Sequence, residues 1–106
     1  MPRVALIVED DPQIVHLLEG WLWGRGWAVE VTSNGTEGLR RFSEIRPSLV
    51  IGEVVLSGVD GIGLCGGIRL QPFARGVQIG LISERPEMHA AALAAGADFF
   101  LLKPVR

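Results

Sequence analysis

The sequence predicts an α/β domain: a parallel β-sheet wound on both faces by helices. Three observations carry this. Five short runs rich in Val, Ile and Leu alternate with four stretches whose apolar residues recur at helical spacing. Most of the runs are apolar throughout, as strands covered on both faces are. Gly, Pro, Asn or Asp punctuates the transitions between them.

The elements follow in order. Residues 3–8, RVALIV, are a strand too short to be a helix, ended by the acids EDD. Asp11 is the expected N-cap and Pro12 suits the first turn of a helix. In PQIVHLLEGWLW the positions Ile14, Leu17, Leu18, Trp21 and Leu22 mark its apolar face, and Gly24 and Gly26 end it. WAVEVT, 27–32, is the second strand. SNGTEGLRRFSEIRP supplies a loop and the second helix, closed by Pro47. SLVIG, 48–52, is the third strand, and Glu53 follows it. GIGLCGGIRL has helical spacing at Ile62, Cys65, Ile68 and Leu70, yet its four glycines each cost about 1 kcal/mol against alanine. VQIGLIS is the fourth strand. EMHAAALAA is a helix stopped by Gly96, and DFFLLKP is the fifth strand, ended by Pro104.

The chain has 106 residues, the size of one domain. Hydrophobic residues make up 48% and charged residues 21%, the balance of a globular chain. A net charge of −2 offers no basic footprint for nucleic acid or an anionic membrane. No apolar run reaches the roughly 18 residues of a membrane span, and the N-terminal run meets acids too soon for a signal peptide. One cysteine, Cys65, allows neither an internal disulfide nor a Cys-rich zinc site. A cytoplasmic location is expected.

Right-handed crossovers bring the C-terminal ends of parallel strands to one edge, where ligands of such folds bind. That edge collects Glu9 and Asp10 after the first strand, Glu53 after the third, Ser83 at the end of the fourth and Lys103 after the fifth. The second strand contributes only Ser33 and Asn34. Three crowded carboxylates repel one another, and a hard divalent cation or an ammonium relieves them. Carboxylates with open coordination positions suit magnesium and a phosphoryl group, whose oxygens the hydroxyl and the lysine would hold.

VEDDP after the first strand, EVVLSGVDG after the third, LIS at the fourth and GADFFLLKP at the fifth together resemble the receiver domains of two-component response regulators. The resemblance spans nearly the whole chain. It implies a flavodoxin-like five-stranded parallel sheet of order 2-1-3-4-5. It implies a regulatory module, not an enzyme, that takes a phosphoryl group from a sensor histidine kinase and passes the change to an output domain or another protein partner. By that resemblance Glu9, Asp10, Glu53 and the carbonyl of Val55 would bind Mg2+. Glu53 would stand at the phosphoacceptor position, with Ser83 and Lys103 assisting. Ser83 and Phe100 would form the conformational switch, and the Lys103–Pro104 bond would be cis. No cofactor other than Mg2+ is implied.

The chain departs from the family pattern in ways that bear on this expectation. Glu53 replaces the family's aspartate and is one methylene longer. Glutamate there imitates the phosphorylated state imperfectly. In-line transfer to it is penalised, because a 1 Å misplacement costs on the order of 10²-fold. The expectation is therefore a phosphorylation-independent, atypical receiver; the alternative is a Mg-dependent acceptor that uses Glu53 itself. Ser57 replaces a loop proline, Gly52 a bulkier residue, and the segment between Ser83 and Lys103 is about two residues short. The family's last helix does not follow KPVR. The expectation is that 1–106 is the N-terminal part of a longer protein, with apolar surface bared beside the first helix. A second chain covering that face, including a homodimer, is the other possibility.

Two readings from other classes fail on single residues. A phosphohydrolase of this architecture calls for an acid two residues after its nucleophile, where Val55 stands. A flavin-binding fold calls for a phosphate loop after the first strand, where EDDP would repel phosphate. His16 and His89 are expected on helix surfaces and make no metal site. Cys65 is expected in the core. Trp21, Trp23 and Trp27 are packing residues, and helical spacing keeps Trp21 and Trp23 off a common face, so that one of them is exposed.

Overall fold

The computed structural model describes residues 3–104. In chain order the elements are β1 (Val4–Val8), α1 (Pro12–Trp23), β2 (Ala28–Thr32), α2 (Gly35–Ile45), β3 (Leu49–Glu53), α3 (Gly61–Arg69), β4 (Gln78–Ser83), α4 (Met88–Ala94) and β5 (Phe99–Leu102). The strands form one parallel sheet of order β2-β1-β3-β4-β5, the flavodoxin-like order expected. No helix follows β5 among the described residues.

The period of a strand divides the core in two. Ala5 and Ile7 of β1 point to one face, where they meet Ile14, Leu18 and Leu22 of α1 with Leu49, Ile51 and Ile82. Leu6 and Val8 point to the other, against Phe42 of α2, Leu64, Cys65 and Ile68 of α3, and Ala92 of α4. β1 and β3 are buried along almost their whole length, hence their unbroken apolar sequence.

The helix starts are local chemistry. Asp11, Asn34 and Asp60 cap α1, α2 and α3, accepting the backbone N–H of Gln13, Glu37 and Gly63 at 3.0, 2.9 and 2.7 Å. Gly96 follows α4 with φ of 106°, a left-handed turn that favours glycine.

Three side-chain placements differ from the sequence reading. On α1 only Ile14, Leu18 and Leu22 are buried; Leu17 and Trp21 are 44% and 51% exposed. On α3 the buried residues include Leu64, and Leu70 lies off the core face at 85% exposure. Trp21 and Trp23 are both exposed, where one was expected to be. The common cause on α1 is the bare half of the sheet. Leu17, Leu18, Trp21, Trp27, Phe99 and Leu101 line an open apolar groove of about 700 Å³ beside that helix, where bare surface was expected. Arg3 and Arg25 stack their guanidinium groups on Trp27 and Trp21, at 4.6 and 4.1 Å from the ring centroids.

Candidate functional site: the acidic pocket at the strand ends

The parallel ladders deliver each expected residue to one edge of the sheet. Glu9 continues β1, its N–H bonded to the Thr32 carbonyl at 3.0 Å. Glu53 ends β3, and the next N–H, of Val54, donates to Ile82 at 2.9 Å. The Lys103 N–H donates to the Ser83 carbonyl at 2.8 Å, which joins the ends of β4 and β5. The Lys103–Pro104 peptide is cis, as expected.

A pocket of about 360 Å³ opens there, lined by Asp10, Glu53, Val55, Ser83 and Lys103, together with Asp11, Glu84 and Arg85. Glu9 lies beneath it, 1% exposed. Lys103 Nζ stands between the two buried carboxylates, 2.6 Å from Glu53 Oε2 and 3.4 Å from Glu9 Oε1. The contact to Glu53 is an ion pair by distance, with angles short of a hydrogen bond, so Oε2 has a charge beside it but no hydrogen-bond donor. The other oxygen, Oε1, accepts the Val55 N–H at 3.2 Å. The Ser83 hydroxyl accepts from the Arg85 N–H at 3.0 Å. Glu9 Oε1 accepts the Asp11 N–H at 3.1 Å, and Glu9 Oε2 is buried without a partner.

Electrostatics follow from this packing. Burial, with a contribution from the Glu53 charge, pushes Glu9 up to about 7 against the pull of the Asp11 N–H and Lys103. For Lys103, burial acts downward, and the Glu53 and Glu9 carboxylates outweigh it, so the ammonium is held above its ordinary range.

These features decide the family. A model of the response regulator receiver domain matches residues 5–106. The chain belongs to the response regulator receiver domain family. The DNA-binding response regulator MtrA of Mycolicibacterium smegmatis is 31% identical over 108 residues, a match covering 100% of this chain and 46% of that protein. This receiver domain thus spans about half the length of the curated relatives it matches. Among solved structures, the receiver domain of a signal transduction histidine kinase from Syntrophus aciditrophicus is 34% identical with a TM-score of 0.86, covering 98% of this chain and 80% of that one. The receiver domain of sensor histidine kinase PA1611 from Pseudomonas aeruginosa is 25% identical with a TM-score of 0.87, covering 100% of this chain and 88% of that one. That structure carries a magnesium ion coordinated in its active-site cleft.

The structure of this receiver domain gathers Glu9, Glu53 and Lys103 in direct charge contact and sets Asp10, Val55 and Ser83 around the opening. Among the described residues, no three acidic, histidine or cysteine side chains converge as a ready metal cage. Phe100 lies on β5 away from the pocket lining, half-buried, with its ring stacked on His89. The sequence reading missed Arg85 and Glu84 at the mouth and took Asp11 only as a cap. Their signal was weak: each belongs to a loop adjoining a recognised strand end. His16 is exposed on α1, and Cys65 is buried, its thiol pushed up by burial. No helix among the described residues is long and apolar enough to cross a membrane.

Proposed function

We propose that this domain is a receiver-type signalling module that works without phosphotransfer, because Glu53 occupies the acceptor position and is engaged with Lys103. The observation that carries the reading is the 2.6 Å approach of Lys103 Nζ to Glu53 Oε2, with Glu53 buried. One carboxylate oxygen is held by the lysine and the other by the Val55 N–H. The longer side chain thereby reaches two groups that would otherwise receive phosphoryl oxygens. It leaves the third, the Ser83 hydroxyl, bonded to the loop. The imitation of a phosphorylated site is therefore partial.

Magnesium fits the chemistry of the donors, which are all oxygen and include the unpartnered, buried Glu9 Oε2. Glu9 and Asp10, with Glu53 and the Val55 carbonyl, are the residues that would hold it. The ion would supply charge neutralisation for phosphoryl oxygens. Lys103 already supplies part of that neutralisation from within the chain. Ser83 and Phe100 act as the switch pair, and the face of α4 and β5 is offered to a protein partner, a sensor histidine kinase or an output domain. The module is regulatory, not an enzyme, and makes no direct contact with nucleic acid.

The test is intact mass after incubation with magnesium and acetyl phosphate, for the natural protein and for Glu53→Asp. A phosphoryl mass on the variant alone supports the reading. A phosphoryl mass on Glu53 of the natural protein overturns it in favour of a Mg-dependent acceptor. Phosphorylation of neither places the lesion elsewhere in the pocket and removes Glu53 as its cause.

A further inference from the structure

α4 is the least anchored helix of the fold. It has seven residues, and its N-cap position, Glu87, makes no side-chain capping bond. Its single buried side chain is Ala92, with Met88 and Ala95 partly buried against the same core. A helix this short has little stability of its own, so its position is set by what it touches. Near its start, the imidazole of His89 lies parallel to the ring of Phe100 on β5, with centroids 5.1 Å apart and planes 11° from parallel.

His89 is also tied to the pocket. The Ser83 hydroxyl accepts the Arg85 N–H at 3.0 Å. The Arg85 carbonyl accepts the Met88 N–H, and the Pro86 carbonyl accepts the His89 N–H, each at 3.1 Å. On the other side, Phe100 stands three residues before Lys103, whose N–H bonds the Ser83 carbonyl at 2.8 Å. The contacts close a ring: Ser83, the turn through Arg85 and Pro86, His89, Phe100, β5 and back to Ser83.

We propose that His89 is a positioning residue that latches the first turn of α4 onto Phe100, so that a change of partner at the Ser83 hydroxyl reaches the α4–β5 face through the imidazole. The proposal rests on the reading of Ser83 and Phe100 as a switch pair. It adds the element that joins them. The Ser83 hydroxyl holds one end of the turn and the stacked imidazole holds the other. When the Arg85 N–H loses that hydroxyl, the turn shifts and carries His89 with it. The Phe100 ring follows because the two rings share a face.

The test is nuclear magnetic resonance on the folded domain, without a phosphodonor. In His89→Ala, amide exchange at Ala92 to Ala95 is expected to quicken about 3- to 10-fold, the range that loss of an aromatic pair supports. The Phe100 ring resonances move, and amides of β1 and β3 are unchanged. His89→Phe, which keeps a stacking ring, restores both readouts. Unchanged exchange and ring resonances in His89→Ala overturn the latch, and so does failure of the phenylalanine variant to restore them. For the coupling, Ser83→Ala is expected to move the Phe100 resonances in the natural background and to move them less in His89→Ala. Equal movement in both overturns the route through His89. Because phosphorylation enters neither arm, this result stands apart from the mass measurement on Glu53.

Discussion

Glu9 gives the domain a pH dependence opposite to that of an ordinary surface carboxylate. The side chain is fully buried, one oxygen has no partner, and burial lifts its pKa from the ordinary 4.5 to about 7. Between those values the folded state holds a proton that the unfolded chain releases. The stabilisation from this group is therefore complete below 4.5 and is lost as pH rises through 7. At about 1.4 kcal/mol for each pH unit, the loss is roughly 3 kcal/mol across that window. With a urea slope of about 1–3 kcal/mol per M, the midpoint falls by on the order of 1–3 M. Tryptophan fluorescence reads the urea transition, at pH 5, 6, 7 and 8 in EDTA. Other carboxylates contribute with either sign, so the quantity to follow is the difference between the natural protein and Glu9→Gln. That difference should grow with pH in favour of the variant, which keeps the size and loses the charge. A difference that is flat from pH 5 to 8, or that turns against the variant as pH rises, would refute the account of Glu9 as a carboxyl burdened by burial.

Four further outcomes follow from the structure. Gly66 has open space where a Cβ would stand, so Gly66→Ala should stabilise α3 by about 1 kcal/mol. A Cβ on Gly80 would overlap the Phe99 ring, so Gly80→Ala should cost about 1–3 kcal/mol; both show as shifts of the urea midpoint. Arg69 donates to the Gly96 and Val77 carbonyls at 2.9 and 3.0 Å and to Asp98 at 2.7 Å, which ties α3 to the segments that lead into β4 and β5. Arg69→Ala should therefore lower stability by about 2–3 kcal/mol without changing magnesium binding. Glu53→Asp should bind magnesium more tightly than the natural protein by calorimetric titration, because the shorter carboxylate retracts from Lys103. Equal or weaker binding would contradict the idea that the ion pair competes with the metal.

The fold was legible because its central strands are buried on both faces. Burial of β1 and β3 forces continuous apolar sequence, and the N-caps Asp11, Asn34 and Asp60 use the side chains that cap helices generally. The faces of α1 and α3 were less legible, since both helices are apolar on more than one side. Leu17, Trp21 and Leu70 share the composition of core residues, but the sheet does not cover them. Trp21 keeps its place at the surface with Arg25 stacked on its ring. The rim of the site was legible by a topological argument, as parallel strands must end together. What the sequence left open was whether Glu53 pairs with Lys103, with Ser83 or with magnesium, a choice that depends on one methylene of Glu53 and on the reach of Lys103. His89 and Arg85 carried no pattern of their own, because their roles arise where a short turn folds back on β5.

The balance of charge ties these points together. Two buried carboxylates and one ammonium leave the inner site with a single net negative charge while both acids are ionised. Protonation of Glu9 removes it, and burial favours that protonation by raising the Glu9 pKa. An aspartate at position 53 would draw the carboxylate back by about one C–C bond length, roughly 1.5 Å. Lys103 would then face Glu9 with its stronger partner withdrawn, and the two acids would be left to an external cation. The extra methylene of Glu53 thus does more than lengthen an acceptor. It converts a site that asks for a divalent ion into one that carries much of its counter-charge on Lys103. For the same reason, the proposed independence from phosphotransfer is compatible with a well-formed pocket.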